Sequence, residues 1–231
     1  WLTEGGQSAS GALIDHVIFT HHASKELKAA ARRAGQTPYQ ILNDRLDRIA
    51  GREKVEHLAE LTADLHVQPD FHGNRSPLAD PSLKGAITGL TLSASLDDLA
   101  LLYLATIQAV AHGTRHIVDQ MNRNGYKIDT VMICGGGTKN PLFLREHADI
   151  LGMPLVLPRE PEAVLSGASV LGAVASGKHA SVFEAMTQLN AAGEVIRPRR
   201  GKVARYHEQK FRVYKKMQAD FRAYRRLIES T

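Results

Sequence analysis

Thr130-Val131-Met132-Ile133-Cys134-Gly135-Gly136-Gly137-Thr138-Lys139-Asn140-Pro141-Leu142 is the stretch on which the fold turns. Thr130 to Cys134 has the length and apolarity of a buried strand, and three glycines end it. Asn140 to Leu151 then reads as a helix closed by Gly152, Pro154 to Leu157 as a second buried strand, and Glu162 to Ser176 as another helix. Strand, helix, strand in this order predicts a right-handed parallel crossover. The glycines would then lie at the carboxyl end of a parallel strand, where α/β sheets bind ligands. Bare backbone there can approach a flat ring or a phosphate, the next helix offers unpaired N–H groups, and Asn140 offers an amide. Ala163, Gly167, Ala168, Gly172 and Ala173 would let the later helix come close enough to wall such a pocket. The turn lacks the Gly-Lys-Ser/Thr of a Walker loop and the third glycine of Gly-x-Gly-x-x-Gly. A purely structural strand-to-helix turn fits its composition as well.

Upstream, the pattern is helical. Ser8 to His21, Ala23 to Ala34 and Pro38 to Ala50 read as three helices, with Gly35 and Gly51 as stops and Thr37 as an N-cap. Leu65 to Phe71 reads as short and extended, and the polar run from His72 through Pro81 as a loop. Asp97 and Asp98 open a long helix to about Asn124, where their charge suits the positive end of its dipole. The fold class is α/β with a large helical share. No repeat or low-complexity linker divides the chain.

With 231 residues, 43% hydrophobic and 23% charged, the composition is that of a globular protein and excludes disordered, collagenous and disulfide-scaffold classes. A lone cysteine, Cys134, cannot form an internal bridge and reads as a buried, inert thiol in a reducing, cytoplasmic setting. No apolar run is long enough to cross a bilayer. The opening, Trp1-Leu2-Thr3-Glu4, has no features of a signal peptide and reads as mid-domain sequence. Asn74-Arg75-Ser76 matches a glycosylation sequon without any sign of secretion. His16 and His21 are five apart, off the spacing of a helical zinc pair, so no metal site is expected.

The net charge of +5 is uneven. From Arg197 onward twelve basic residues face three acidic ones, leaving 17 against 21 in the first 196. Val203, Tyr206, Val213, Tyr214, Met217, Phe221, Tyr224 and Ile228 mark one stripe of a terminal helix, with Lys and Arg opposite. That pattern favours a helix docked on the body over a nucleic-acid-binding or membrane-binding tail. A polyanion-binding helix is the competing reading.

Asp70-Phe71-His72-Gly73-Asn74-Arg75-Ser76-Pro77-Leu78-Ala79-Asp80-Pro81 resembles the signature loop of the FGGY carbohydrate kinases, nearest their D-ribulokinase-like branch. Cys134 to Leu142 resembles their adenosine-binding turn, and His147 to Gly152 and Glu162 to Ala168 continue the likeness. Glu4 to Ala12 resembles the segment that opens their C-terminal lobe. The resemblance runs from Trp1 to about Asn190.

The resemblance implies an actin-like, ribonuclease H-like lobe over residues 1–196, with a mixed sheet and many helices, and a docked basic helix over 197–231. It implies the C-terminal, nucleotide-binding half of an ATP-dependent kinase that phosphorylates a pentulose, D-ribulose foremost. Gly11, Asp15, Gly135, Gly136, Gly137 and Asn140 take the positions that hold the nucleotide. The family often has Gln where Asp15 stands, and a carboxylate cannot donate as an amide does. Mg²⁺ would arrive with ATP. The N-terminal lobe, with its phosphate loop and catalytic Asp, is missing from this sequence, so no catalytic residue is expected here and turnover by this chain alone is not. Glu4 suits either a sugar cleft or a solvated, capping role, and Arg75 either a phosphate or sugar contact or a clamp on backbone carbonyls. The partners implied are ATP or ADP, a sugar, the N-terminal lobe and a second copy of the chain. A non-catalytic actin-like module that senses nucleotide is the alternative function.

Overall fold

A computed structural model describes residues 3–229; Trp1, one of the residues that carry the resemblance, lies outside them. The first helices are α1 (Gly11–Thr20), α2 (Ser24–Ala34) and α3 (Pro38–Glu53). The α3 start is fixed by a capping box, in which the Gln40 backbone N–H donates to Thr37 Oγ1 and the Thr37 N–H to Gln40 Oε1. Gly51 does not end α3, which runs on to Glu53 and closes at Lys54 in a left-handed conformation. A helix-interior glycine costs only about 1 kcal/mol, and the following turn could absorb it.

A 3-10 turn (Leu58–Thr62) leads to a small antiparallel hairpin of β1 (His66–Gln68) and β2 (Ala86–Thr88), with the polar loop between them. Next comes α4 (Leu96–Arg123), 28 residues long and apolar on most of its circumference. It contacts α1, α2, α3, α5, α8, β1 and the 3-10 turn, and is the spine of the molecule. Ser95 caps it through a second capping box with Asp98, while Asp97 turns to Arg45 and Arg52 of α3. The dipole role expected of this acidic pair is thus shared between a cap and a tie to α3.

The predicted strand, helix, strand unit is present. β3 (Val131–Met132) pairs in parallel with β4 (Leu155–Pro158) across α5 (Pro141–Leu151), and β5 (Ala192–Ile196) adds to β4 in antiparallel. Leu144 and Ala148 of α5 pack on Leu155 and Ile196 on one face of this mixed sheet. Between β4 and β5 lie α6 (Ala163–Ala175) and α7 (Val182–Leu189), which pack mainly on each other. The chain ends in α8 (Lys202–Glu229).

Two expectations fail here. The strand after Thr130 is only half buried: Val131 and Ile133 pack on the sheet's core, while Met132 is 73% exposed and Cys134 is exposed. Only one face of the sheet has a helix over it, so an alternating apolar strand leaves half its side chains bare. The stripe on α8 also differs. Val203, Phe211, Tyr214 and Met217 are buried, but so are His207, Lys210 and Gln218, while Tyr224 and Ile228 are exposed. α8 covers α5, β1 and the 3-10 turn with its first two-thirds and extends past them with the remainder.

Candidate functional site

The three glycines of the turn stand in different surroundings. Gly135 sits at φ 91° and ψ −170°, a conformation closed to side-chain-bearing residues. Gly137 lies under Phe143, where an added Cβ would come within 2.9 Å of the ring. Gly136 has neither excuse: its φ is ordinary and nothing lies within 4 Å of the space a Cβ would take. The turn itself is held by Thr138, whose N–H and Oγ1 both donate to the Gly135 carbonyl at 3.1 and 2.7 Å. It leads through a short 3-10 segment (Gly136–Lys139) to Asn140, the N-cap of α5, with Pro141 as first helical residue.

Asn140 is held from three sides. Its Oδ1 accepts from the Leu142 backbone N–H at 3.2 Å and from Asn43 Nδ2 at 3.1 Å. Its Nδ2 donates to the Tyr103 hydroxyl at 2.6 Å, and that hydroxyl donates to Asn43 Oδ1 at 3.1 Å. Burial lifts the Tyr103 phenol well above its ordinary pKa, so it stays a donor. Tyr39, four residues before Asn43 on α3, donates to the Asp15 carboxylate and lies 6.3 Å from the Tyr103 ring. Burial, reinforced by that carboxylate, pushes the Tyr39 phenol up to about 12. Helix α3 thereby joins Asp15 of α1 to Asn140 of the glycine turn. Gly11, at the start of α1, is exposed with open space around it.

Glu4 and Arg75 form a second group. They are ion-paired with each other and exposed, so Arg75 turns to Glu4. The Gly6 N–H donates to Ser76 Oγ at 3.2 Å, and Gln7 Nε2 donates to the Val110 carbonyl and Thr114 Oγ1 of α4. The polar loop is shaped from within: Asn74 exchanges backbone hydrogen bonds with Asp80 at 2.8 Å, and buried Asp70 accepts from Gln68 and Asn74.

Helix α6 faces the strand that leads into the turn across a cleft. Ala163, Ser166 and Gly167 line a cleft of about 1050 Å³ together with Cys134, Met132 and Phe183, on the uncovered side of β3. Among the described residues no three His, Cys, Asp or Glu side chains are grouped to hold a metal ion. Nor is any described helix long and apolar enough to cross a membrane.

Tyr39, Asn43 and Tyr103 belong to this site although the sequence reading passed over them. The i, i+4 spacing of Tyr39 and Asn43 puts both on one face of α3, and Tyr103 is a hydroxyl-bearing ring in an otherwise apolar run. Those were the available signals.

Residues 1–176 match the C-terminal domain model of the FGGY family of carbohydrate kinases. Across 94% of its length the chain is 54% identical to an FGGY carbohydrate kinase domain-containing protein of Homo sapiens, and covers 39% of that protein. Across 76% it is 40% identical to a D-ribulokinase of Saccharomyces cerevisiae, covering 25% of it. The chain thus spans about two-fifths or less of the curated relatives it matches. A solved xylulose kinase from Rhodospirillum rubrum superposes over 95% of the chain and 40% of its own with a TM-score of 0.69 at 23% identity, a likeness of fold. The family model and the 54% identity agree with the motif order: the chain belongs to the FGGY family of carbohydrate kinases and carries its C-terminal domain.

Proposed function

We propose that this chain is the nucleotide-binding half of an ATP-dependent pentulose kinase, with D-ribulose as the favoured acceptor. The observation that carries the nucleotide site is Gly136, a residue for which the protein's own backbone and packing give no reason to be glycine. A ring or sugar laid against bare backbone supplies the reason. Gly51, Gly167 and Gly172 have the same latitude but lie inside α3 and α6; Gly11, at the start of α1, shares it and is itself assigned to the nucleotide. In this reading Gly11, Asp15, Gly135, Gly136, Gly137 and Asn140 surround the nucleotide, and a Plasmodium falciparum glycerol kinase solved with ADP, at a TM-score of 0.57, shares the fold. Glu4 and Arg75 are assigned to the sugar side.

Mg²⁺ bound with the ATP phosphates would supply charge neutralisation for them. The acceptor's proton must pass to a general base. We place that base and the phosphate loop in the N-terminal lobe of the longer protein, so the present chain binds without turning over. The 40% identity to a D-ribulokinase supports the choice of sugar.

Calorimetric titration with ADP tests the nucleotide site. The parent chain is expected to bind, and Gly136→Asp to weaken binding at least about tenfold. A Cβ at Gly136 meets no atom within 4 Å, so the variant is expected to fold. Equal binding by both would remove the site from the turn. For the sugar, a full-length protein that phosphorylates glycerol but no pentulose would overturn the assignment.

A further inference from the structure

The direction of every hydrogen bond around Asn140 follows from one atom. A backbone N–H can only donate, so the side-chain atom facing the Leu142 N–H must be the amide oxygen. Asn43 approaches that same oxygen at 3.1 Å and must therefore present its NH₂. Its carbonyl oxygen is then turned to Tyr103, which donates to it at 3.1 Å. The phenol oxygen, having given up its proton to Asn43, receives the Asn140 NH₂ at 2.6 Å. The three side chains close a ring in which each donates to the next in the same sense, an arrangement whose members polarise one another.

We propose that Asn43 and Tyr103 are positioning residues for the nucleotide: they lock Asn140 as a contact that can only donate. The inference rests on the nucleotide reading of the glycine turn. Both acceptor positions of the Asn140 oxygen are spent on Leu142 and Asn43, and one of its two N–H bonds is spent on Tyr103. What remains is a single amide hydrogen, on a residue four positions after Gly136. Its partner must be an acceptor, such as a ribose oxygen or a ring nitrogen of the base. An exocyclic amine has nothing to meet there. A free asparagine would spread its donor and acceptor over several rotamers, and ordering it would cost binding energy. The ring, anchored on α3, α4 and the first turn of α5, removes that cost in advance.

The test is calorimetric titration of ADP into the chain and into Tyr103→Phe, Asn43→Ala and the double variant, each with its melting temperature. Tyr103→Phe keeps the buried ring and deletes one hydroxyl. Val110→Ala, in the core on the same helix with no part in the ring, supplies a control that loses stability without touching Asn140.

Each single variant is expected to weaken ADP about tenfold, and the double variant no more than about threefold further, because breaking any link frees Asn140. Val110→Ala is expected to melt lower yet bind ADP as the parent does. Parent-like ADP binding by Tyr103→Phe overturns the inference. So does weakening in Val110→Ala to match the loss of stability, since the ring would then be only a packing feature. If the parent binds, Gly136→Asp does not, and Tyr103→Phe is unaffected, the positioning role falls while the nucleotide site stands. If the parent fails to bind ADP, both fall.

Discussion

Lowering the pH from 7.5 to 5 should cost this fold several kcal/mol of stability. His147 and His207 are buried at the seam of α5 and α8, and burial drags both down to about 4. His207 is further discouraged from charging by Arg199, Lys210 and Arg115, against a partial pull from Asp149. An unfolded histidine titrates near 6.5, so between about pH 6.5 and 4 the unfolded chain binds protons that the folded one refuses, and stability falls as pH falls. At pH 5 each of the two contributes a loss of about 2 kcal/mol. His112 and His116 of α4 are displaced in the same direction, again chiefly by burial. Glu146 works the other way. Burial lifts its carboxyl to about 7, so the folded state holds a proton that the unfolded chain has released, and acidification returns about 2 kcal/mol. His21 and His66 are lowered too, chiefly by burial, so six histidines against one glutamate leave a net loss. Urea midpoints measured at the two pH values check it: the midpoint should fall on acidification and fall less in His207→Gln. A midpoint that rises would mean that Glu146 governs the balance.

The second large effect is at Asp149. Its side chain is fully buried and receives the Arg199 backbone N–H at 2.7 Å, Nε at 2.7 Å and Nη2 at 2.6 Å, with Arg145 at 3.4 Å. This fork pins the strap between β5 and α8 to the body. Removing one partner of a buried pair leaves the other charge without compensation, so Asp149→Ala and Arg199→Ala are each expected to cost about 3–4 kcal/mol. The double variant should cost much less than their sum, with a coupling of about 2 kcal/mol. By contrast Arg52→Ala, at an exposed site, should leave stability close to that of the parent. A denaturant series on the four variants reads all of this. Additive losses would show that the fork does not act as a unit.

The helices and the parallel crossover were legible because their signals are local: Thr37 before Pro38, Gly152 after Leu151, three glycines after an apolar run. Exposure was less legible, because it depends on what lies across from an element. Cys134 and Met132 belong to an apolar run, yet only one face of their sheet carries a helix. On α8 the hydrophobic stripe named Tyr224 and Ile228, whereas the body at the other end takes in Lys210, whose Nζ donates to the Thr62 and Leu65 carbonyls. No pattern within α8 reveals those carbonyls. The same holds for the site. Asn140 and the glycines stood out as a contiguous motif, but the residues that fix Asn140 lie 97 and 37 positions away, and only the packing of α3 on α4 brings them there.

The spine of the molecule has a consequence for how it breathes. Amides in the middle of α4, sheathed by helices on several sides, open only with global unfolding and exchange slowest with solvent. Those of α6, where Val170 alone is buried, and of α7 exchange through shallow local openings. The glycine turn lies on the boundary between these regimes. Its carboxyl side, Asn140 and α5, is tied to the slow interior, while its amino side follows a two-residue strand whose Met132 is exposed. Backbone amides on the amino side of the turn are therefore expected to exchange faster than those of α5.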